Sequence, residues 1–205
     1  LGLDNCFGNL ENPIELFNEW FDQAKKSEIN DPNAFALATS DGERSSVRMV
    51  LLKSYNDNGF VFFTNLESRK SKDIKVAKPS MCFHWKSIAR QVRIESCEVV
   101  QLSDKEANDY FATRPYGSQI GAWASKQSSI LKKREELYEA ISFYKKKYPN
   151  EVPRPKNWSG WLLKPIKIEF WLDGQDRIHQ RLLYTKNWTS LQDKNGFWEK
   201  SLLSP

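Results

Sequence analysis

Ile14, Phe17, Phe21 and Ala24 recur at the spacing of one helix face. Asn12-Pro13-Ile14-Glu15 in front of them reads as a helix start, with Asn12 as N-cap, Pro13 at the first helical position and Glu15 closing a capping box. After Asp31-Pro32 the period shortens. Ala34–Thr39, Ser46–Ser54 and Phe60–Asn65 are β-rich runs separated by the turn signals Asp41-Gly42 and Asn56-Asp57-Asn58-Gly59, and they predict an antiparallel meander. Ser68 is placed to cap a short basic helix ending before Pro79, and strands follow near Met81–Lys86 and Gln91–Gln101. Ser103-Asp104-Lys105-Glu106 is a second capping box, opening a helix to about Thr113, where Pro115 restricts its neighbour. Ser129–Lys147 predicts a longer helix with Ile130, Leu137, Ile141 and Tyr144 roughly on one side. A Pro-rich loop from Pro149 to Pro155 leads to hairpin strands Leu162–Leu172 and Arg177–Tyr184 and a last strand near Phe197–Leu203. The sum is mainly β with surrounding helices, an α+β chain built on a barrel-like sheet in one domain, 1–205.

Composition narrows the function classes. A chain of 205 residues with 40% hydrophobic content can furnish one core, and its 8 Trp, 7 Tyr and 12 Phe suit a pocket for planar rings or a dimer interface. The balance of 31 Lys+Arg against 26 Asp+Glu, net +5, favours phosphorylated small molecules without demanding nucleic acid. The clusters Lys132-Lys133-Arg134 and Lys145-Lys146-Lys147 read as solvated helix faces. Cys6, Cys82 and Cys97 form no CxxC pair, which supports neither a disulfide framework nor a zinc site and fits a reducing cytoplasm. Apolar runs such as Phe60–Phe63 are too short to span a bilayer, so no membrane is expected. There is no P-loop, GxGxxG, GxSxG or HExxH, and His84, in Cys82-Phe83-His84-Trp85, reads as a core or interface residue.

What remains is a set of cationic constellations. As a strand, Arg177-Ile178-His179-Gln180-Arg181 would put Arg177, His179 and Arg181 on one face, which a core does not tolerate without an anion. Ser68-Arg69-Lys70 opens a helix, where free N–H groups and two cations favour a phosphate, although an ordinary capped surface helix would look the same. Arg48-Met49-Val50-Leu51-Leu52-Lys53 is an apolar strand closed at each end by a cation, the two on opposite faces if it is regular. Tyr110 and Arg114 share a helix face and Ser118 follows the Pro115 turn, a reasonable grip for a phosphate monoester. Gln127-Ser128 either caps the long helix or offers polar groups to a ring edge.

With these motifs in this order the chain resembles the pyridoxine/pyridoxamine 5′-phosphate oxidase family. Further markers are Phe63-Thr64-Asn65, Arg90-Gln91-Val92, Ser118-Gln119-Ile120-Gly121-Ala122-Trp123 and Glu169-Phe170-Trp171, and the similarity runs from about Asn12 to Pro205. The resemblance implies an FMN-binding split β-barrel that works as a homodimer, with a C-terminal hairpin serving dimerisation and the substrate site. It implies oxidation of pyridoxamine or pyridoxine 5′-phosphate to pyridoxal 5′-phosphate, with O2 as acceptor and H2O2 as product. Carried onto matching positions, Arg48, Met49, Val50, Leu51, Phe63, Thr64, Arg69, Lys70, Gln91, Gln127, Ser128, Trp171 and Arg181 surround FMN. Lys53, Tyr110, Arg114 and Ser118 hold the substrate phosphate, and Arg177 with His179 act at the pyridine ring as the catalytic pair.

The chain departs from the family pattern at named places. Gln180 stands where Asp is common, Trp158-Ser159-Gly160 replaces Trp-Gly-Gly, and the ending reads Leu202-Leu203-Ser204-Pro205. Two other readings stand beside the oxidase: a related flavin oxidase of another planar substrate, of the phenazine-pathway type, and a flavin-binding protein without turnover.

Overall fold

The computed structural model describes residues 7–189 and 196–205. Two hairpins begin the sheet. β1 (Ala34–Ser40) pairs with β2 (Ser45–Leu51), and β3 (Ser54–Asn56) pairs with β4 (Gly59–Asn65). The first turn is tied by Asp41, whose Oδ1 accepts from the backbone N–H of Glu43 and Arg44 at 3.0 and 2.8 Å. At Gly59 φ is +139°, and a Cβ would lie 2.0 Å from the Leu163 carbonyl oxygen, so only glycine fits.

The hairpins do not continue into the expected meander. β1 turns to β5 (Ser80–Trp85), and β4 to β7 (Trp158–Leu172); with β6 (Arg90–Gln101) between, the strand order is β2-β1-β5-β6-β7-β4-β3. The expected strand Ser46–Ser54 breaks because Leu52 turns into the core, 3% exposed, and its N–H goes to Asn33 O while that of Lys53 goes to Val61 O. The two ends of the strand path are thus joined by Leu52-Lys53 alone, and the sheet curls into an open barrel. This is the split-barrel, mainly β architecture expected from the sequence.

α1 (Pro13–Ser27) lies on the core. It buries Leu16, Phe17, Trp20, Phe21 and Ala24, a wider stripe than expected, and leaves Ile14 at the edge. Phe17 is the centre of an aromatic nest, with the Tyr55, Phe60 and Phe83 rings 4.9, 5.1 and 5.2 Å away. Asn12 caps the helix by accepting from Ile14 N–H at 2.9 Å; the reciprocal Glu15 bond of a capping box is not made. α2 (Arg69–Val76) follows Ser68, whose hydroxyl donates to Asn65 O at 2.7 Å instead of capping. α3 (Asp104–Ala112) has the full capping box between Ser103 and Glu106.

α4 (Tyr116–Ala124), a stretch to which the sequence pattern assigns no element beyond the turn at Pro115, is a helix that buries Gln119 and Ile120. α5 starts at Arg134, not Ser129, and ends at Lys147; residues 125–133 are an exposed loop, with Ile130 96% exposed. The strand expected from Arg177 begins at Gln180, as β8 (Gln180–Asn187), because Gln175–Arg177 forms a tight 3-10 turn with Asp176 and Arg177 at φ +56° and +64°. Strand alternation therefore does not align Arg177, His179 and Arg181. His84 is exposed in the protomer, not in the core. β9 (Phe197–Leu203) pairs with β8.

β7 is the spine of the sheet. β6 runs along one edge from Trp161 to Leu172, while the other edge serves β4 from Trp158 to Leu163 and β8 from Lys167 to Leu172. Pro165, which has no N–H, sits in the gap between those partners and opposite the bulge at Ser96.

Candidate active site

A hollow of about 780 Å³ opens between β2, β4, the α3–α4 turn and the loop after α4, a size that suits a cofactor or metabolite. Arg48, Lys53, Lys70 and Arg114 line it, and among the described residues no Asp or Glu does. Its aromatic wall is a stack in which Phe63 lies 4.0 Å from Tyr110 and 5.2 Å from Trp158, nearly parallel to both. Gly160 makes room for that stack: a Cβ there would lie 2.9 Å from Phe63 Cε1.

Each cation is held differently. Arg48 is pinned by neutral acceptors, with Nη1 donating to Thr39 Oγ1 at 2.6 Å and to Leu37 O at 3.0 Å, and Nη2 to Ser46 Oγ at 2.8 Å. The buried Asp73 carboxylate stands 3.8 Å behind it. Burial lowers the Arg48 pKa, opposed by Asp73. Lys70 Nζ donates to Gln127 Oε1 at 2.9 Å, Thr64 Oγ1 at 3.2 Å and Ser68 Oγ at 3.3 Å. Desolvation, and after it the Arg48 charge, pushes its ammonium below the ordinary lysine value. Arg114 lies over the Trp158 ring at 4.6 Å, and among the described residues no acceptor faces its buried Nη1. Burial lowers its pKa as well. These are concentrated positive charges held ready for anions.

Most of the expected site residues meet here. β2 and its continuation bring Arg48, Met49, Val50, Leu51 and Lys53; β4 brings Phe63 and Thr64. Lys70, Tyr110, Arg114, Ser118 and Gln127 complete the expected set. Arg48 and Lys53, placed on opposite strand faces by the sequence pattern, reach the same hollow because the strand ends at Leu51. Arg69 stays outside, 3.4 Å from Asp41 and 3.7 Å from Asp73. Ser128 does not line the hollow, but its φ of +72° turns the chain beside Gln127. Thr113, Gly121, Ala122, Ser125 and Trp158 also line it outside the expected set; α4, which the sequence pattern does not announce, carries Gly121 and Ala122 and has Ser125 as its C-cap.

Gln91, Trp171, Arg177, His179 and Arg181 do not line this hollow. Gln91, Trp171 and Arg181 face one another across β6, β7 and β8. Trp171 lies thirteen positions along β7 from Trp158, a separation of roughly 40 Å at about 3.3 Å per residue. Here Glu169, 7% exposed, accepts from Arg93 Nη1 at 3.0 Å and from Arg181 Nε at 2.9 Å. The Glu169 bond raises the Arg181 pKa. Arg181 Nη1 also donates to Ser204 O at 2.9 Å. The His179 ring packs 4.7 Å from Trp171.

Comparison with known families places this geometry. Residues 21–147 match the pyridoxamine 5′-phosphate oxidase family model, and residues 158–205 match the pyridoxine 5′-phosphate oxidase C-terminal dimerisation region. The chain belongs to the pyridoxine/pyridoxamine 5′-phosphate oxidase family. It is 56% identical to the pyridoxine/pyridoxamine 5′-phosphate oxidase of Pelagibacter ubique over 100% of this chain and 97% of that one. Identity to the Brucella ovis enzyme of the same name is 50%, covering 94% and 91%. Among solved structures it is similar to PhzG from Burkholderia lata in complex with tetrahydrophenazine-1-carboxylic acid, with TM-score 0.87 at 28% identity over 96% and 94% of the two chains. The fold is shared with an FMN-binding, pyridoxamine 5′-phosphate oxidase-related protein from Nostoc punctiforme, with TM-score 0.73 at 14% identity over 96% and 99%. Among the described residues no helix is long and apolar enough to cross a membrane.

Proposed function

We propose that the protein oxidises pyridoxamine 5′-phosphate or pyridoxine 5′-phosphate to pyridoxal 5′-phosphate, with FMN as resident cofactor, dioxygen as acceptor and hydrogen peroxide as product. For the amine, one water enters and one ammonia leaves. The observation that carries this reading is the charge of the hollow: four cations and, among the described residues, no carboxylate lining it. Two phosphorylated heterocycles satisfy that surplus.

The residues fit FMN. The Lys70 ammonium has only neutral oxygens for partners, and the Phe63–Tyr110–Trp158 stack offers a flat apolar wall. Lys70, Thr64 and Gln127 would hold the cofactor's polar groups, with Arg48 and Arg69 adding positive charge beside them. Met49, Val50 and Leu51 supply the strand against which it lies. When bound, FMN supplies the two-electron oxidation and the return of those electrons to dioxygen.

The other residues bind and orient the substrate. Tyr110, Arg114 and Ser118, arranged around the α3–α4 turn, take the substrate phosphate together with Lys53. Arg177 and His179 orient the pyridine ring and stabilise charge that develops on it. They reach the hollow across a homodimer: a twofold axis lays the C-terminal cluster of one protomer, with Gln91, Trp171 and Arg181, against the hollow of its partner, so that two half-sites become two whole ones. Ser128 positions Gln127. Cys82 and Cys97 are free thiols, which fits a cytoplasmic enzyme.

PhzG, with its tricyclic monocarboxylate, raises a second reading, in which the substrate carries no phosphate. A single carboxylate leaves the buried Arg114 Nη1 or Lys53 unanswered, so the phosphate reading is preferred. The test is direct. The purified yellow protein is mixed anaerobically with pyridoxamine 5′-phosphate and then exposed to air. Bleaching of the flavin spectrum, then peroxide and aldehyde, is the expected sequence; a spectrum that this substrate leaves unchanged overturns the proposal.

A further inference from the structure

His179 stands just after the 3-10 turn Gln175–Arg177. Its Nδ1 lies 3.0 Å from Asp173 Oδ1 and 3.3 Å from the Gly174 backbone nitrogen. The two contacts exclude each other. A protonated Nδ1 donates to Asp173 and cannot accept from Gly174, whereas a bare Nδ1 sets a lone pair against a carboxylate oxygen at hydrogen-bond distance. The shorter, charge-assisted contact decides between them.

The backbone is shaped to make this meeting. Asp173 N–H is fixed to Ala89 O at 3.0 Å, which ties the residue to the turn between β5 and β6. A Cβ on Gly174 would lie 2.0 Å from the Ile178 carbonyl oxygen, so the loop closes on itself where only glycine fits. Asp176 and Arg177, both exposed, complete the closure at positive φ. Gln180, next in sequence, has no carboxylate to offer, and among the described residues nothing pairs with its buried Oε1.

We infer that Asp173 is a positioning residue that holds His179 as the Nδ1–H tautomer, leaving Nε2 as the lone pair that receives an N–H or O–H of the substrate. The inference rests on the oxidase reading only for the identity of that substrate. Asp173 acts through the imidazole and touches no reacting atom. Its carboxylate is 54% exposed, so the pair adds little to stability; what it supplies is orientation and proton placement.

The chain has only two histidines, His84 and His179, so the holoenzyme labelled with 15N-histidine gives a readable spectrum. Long-range proton–nitrogen correlation on the neutral ring should show Nδ1 protonated and Nε2 bare at His179. Asp173→Asn keeps an acceptor and should keep both the tautomer and kcat, within about threefold. Asp173→Ala should lose the tautomer preference and about tenfold in kcat for pyridoxamine 5′-phosphate, by analogy with partners that orient ligating histidines. Bound FMN and the melting temperature should be unchanged. A bare Nδ1 in the wild type overturns the inference, as does an Asp173→Ala enzyme whose kcat holds. Failure of the oxidase reading would appear separately, as wild-type flavin that the substrate does not bleach, and would leave the tautomer measurement standing.

Discussion

Replacing Arg114 by methionine should move two measurements in opposite directions. In the unliganded protein Nη1 is buried, and no acceptor among the described residues faces it. Relieving a buried unsatisfied donor recovers about 1–3 kcal/mol. Against that stand the guanidinium contacts with the Trp158 and Phe111 rings at 4.6 and 5.6 Å, each about 0.5–1 kcal/mol. Methionine keeps an unbranched chain that can lie on the same rings. Before methionine's own ring contacts the balance runs from about −1 to about 2 kcal/mol in favour of the variant, those contacts lift the lower end towards zero, and a chain of this size shifts by about 2–4 °C per kcal/mol. The melting temperature without substrate should therefore hold or rise by a few degrees. Substrate binding should suffer instead, since a charge-assisted bond to phosphate contributes about 1.5–3 kcal/mol, or about 10- to 150-fold in affinity. Peroxide release measured against pyridoxamine 5′-phosphate concentration should show KM raised by that factor with FMN retained. An unchanged KM would refute the phosphate assignment, and a melting temperature lowered by many degrees would make Arg114 a structural residue.

Two further predictions concern the same hollow. A bound anion favours the charged form of Lys70, whose free-state value burial holds below 10.5. FMN affinity should thus be full below that lowered value and weaken as pH rises through it, while the unliganded fold gains stability over the same window because the unfolded chain binds the extra proton. Flavin fluorescence titrations should show this alkaline loss in the wild type and a weak, flat profile in Lys70→Gln; a flat wild-type profile would refute it. Gly160→Ala drives a methyl to 2.6 Å from Leu102 Cδ1 and 2.9 Å from Phe63 Cε1. Overpacking of about 1–3 kcal/mol should lower the melting temperature, and displacement of Phe63 against Tyr110 should raise KM; both unchanged would show that the stack yields freely.

Local signals were readable where short-range physics decides the outcome. The Ser103–Glu106 capping box, the tight turn between β3 and β4 and the alternation of β1 all need only neighbouring residues. What escaped depends on distant partners. Nothing near Leu52 announces that its N–H will go to Asn33, so the strand was carried too far and a meander followed. Ile130 has the spacing of a helix face with Leu137, Ile141 and Tyr144, yet in the protomer it lies on an exposed loop. Arg177 and His179 were aligned with Arg181 by a strand that the turn at Asp176 and Arg177 interrupts. In the hollow, the cations could be read from composition and spacing. The carboxylates behind two of the expected cations were harder to read: Glu169, behind Arg181 in the C-terminal cluster, stands out as an acid between Ile168 and Phe170, whereas Asp73, behind Arg48, lies in a charged stretch that gives no sign of its burial.

The long strand from Trp158 to Leu172 also constrains how this chain can vary in length. Its first half carries the aromatic wall and its second half the Glu169–Arg181 pair, and each face alternates with a period of two. Inserting or deleting one residue between 160 and 168 would invert one half relative to the other, turning Phe170 away from Trp20 and Tyr184 and Glu169 away from Arg93. Substitutions there can be absorbed one side chain at a time, but an odd change in length cannot. Gaps in alignments of related chains should therefore gather in the turns around 41–44 and 149–155 and spare this stretch, as though it were a ruler with both ends already engaged.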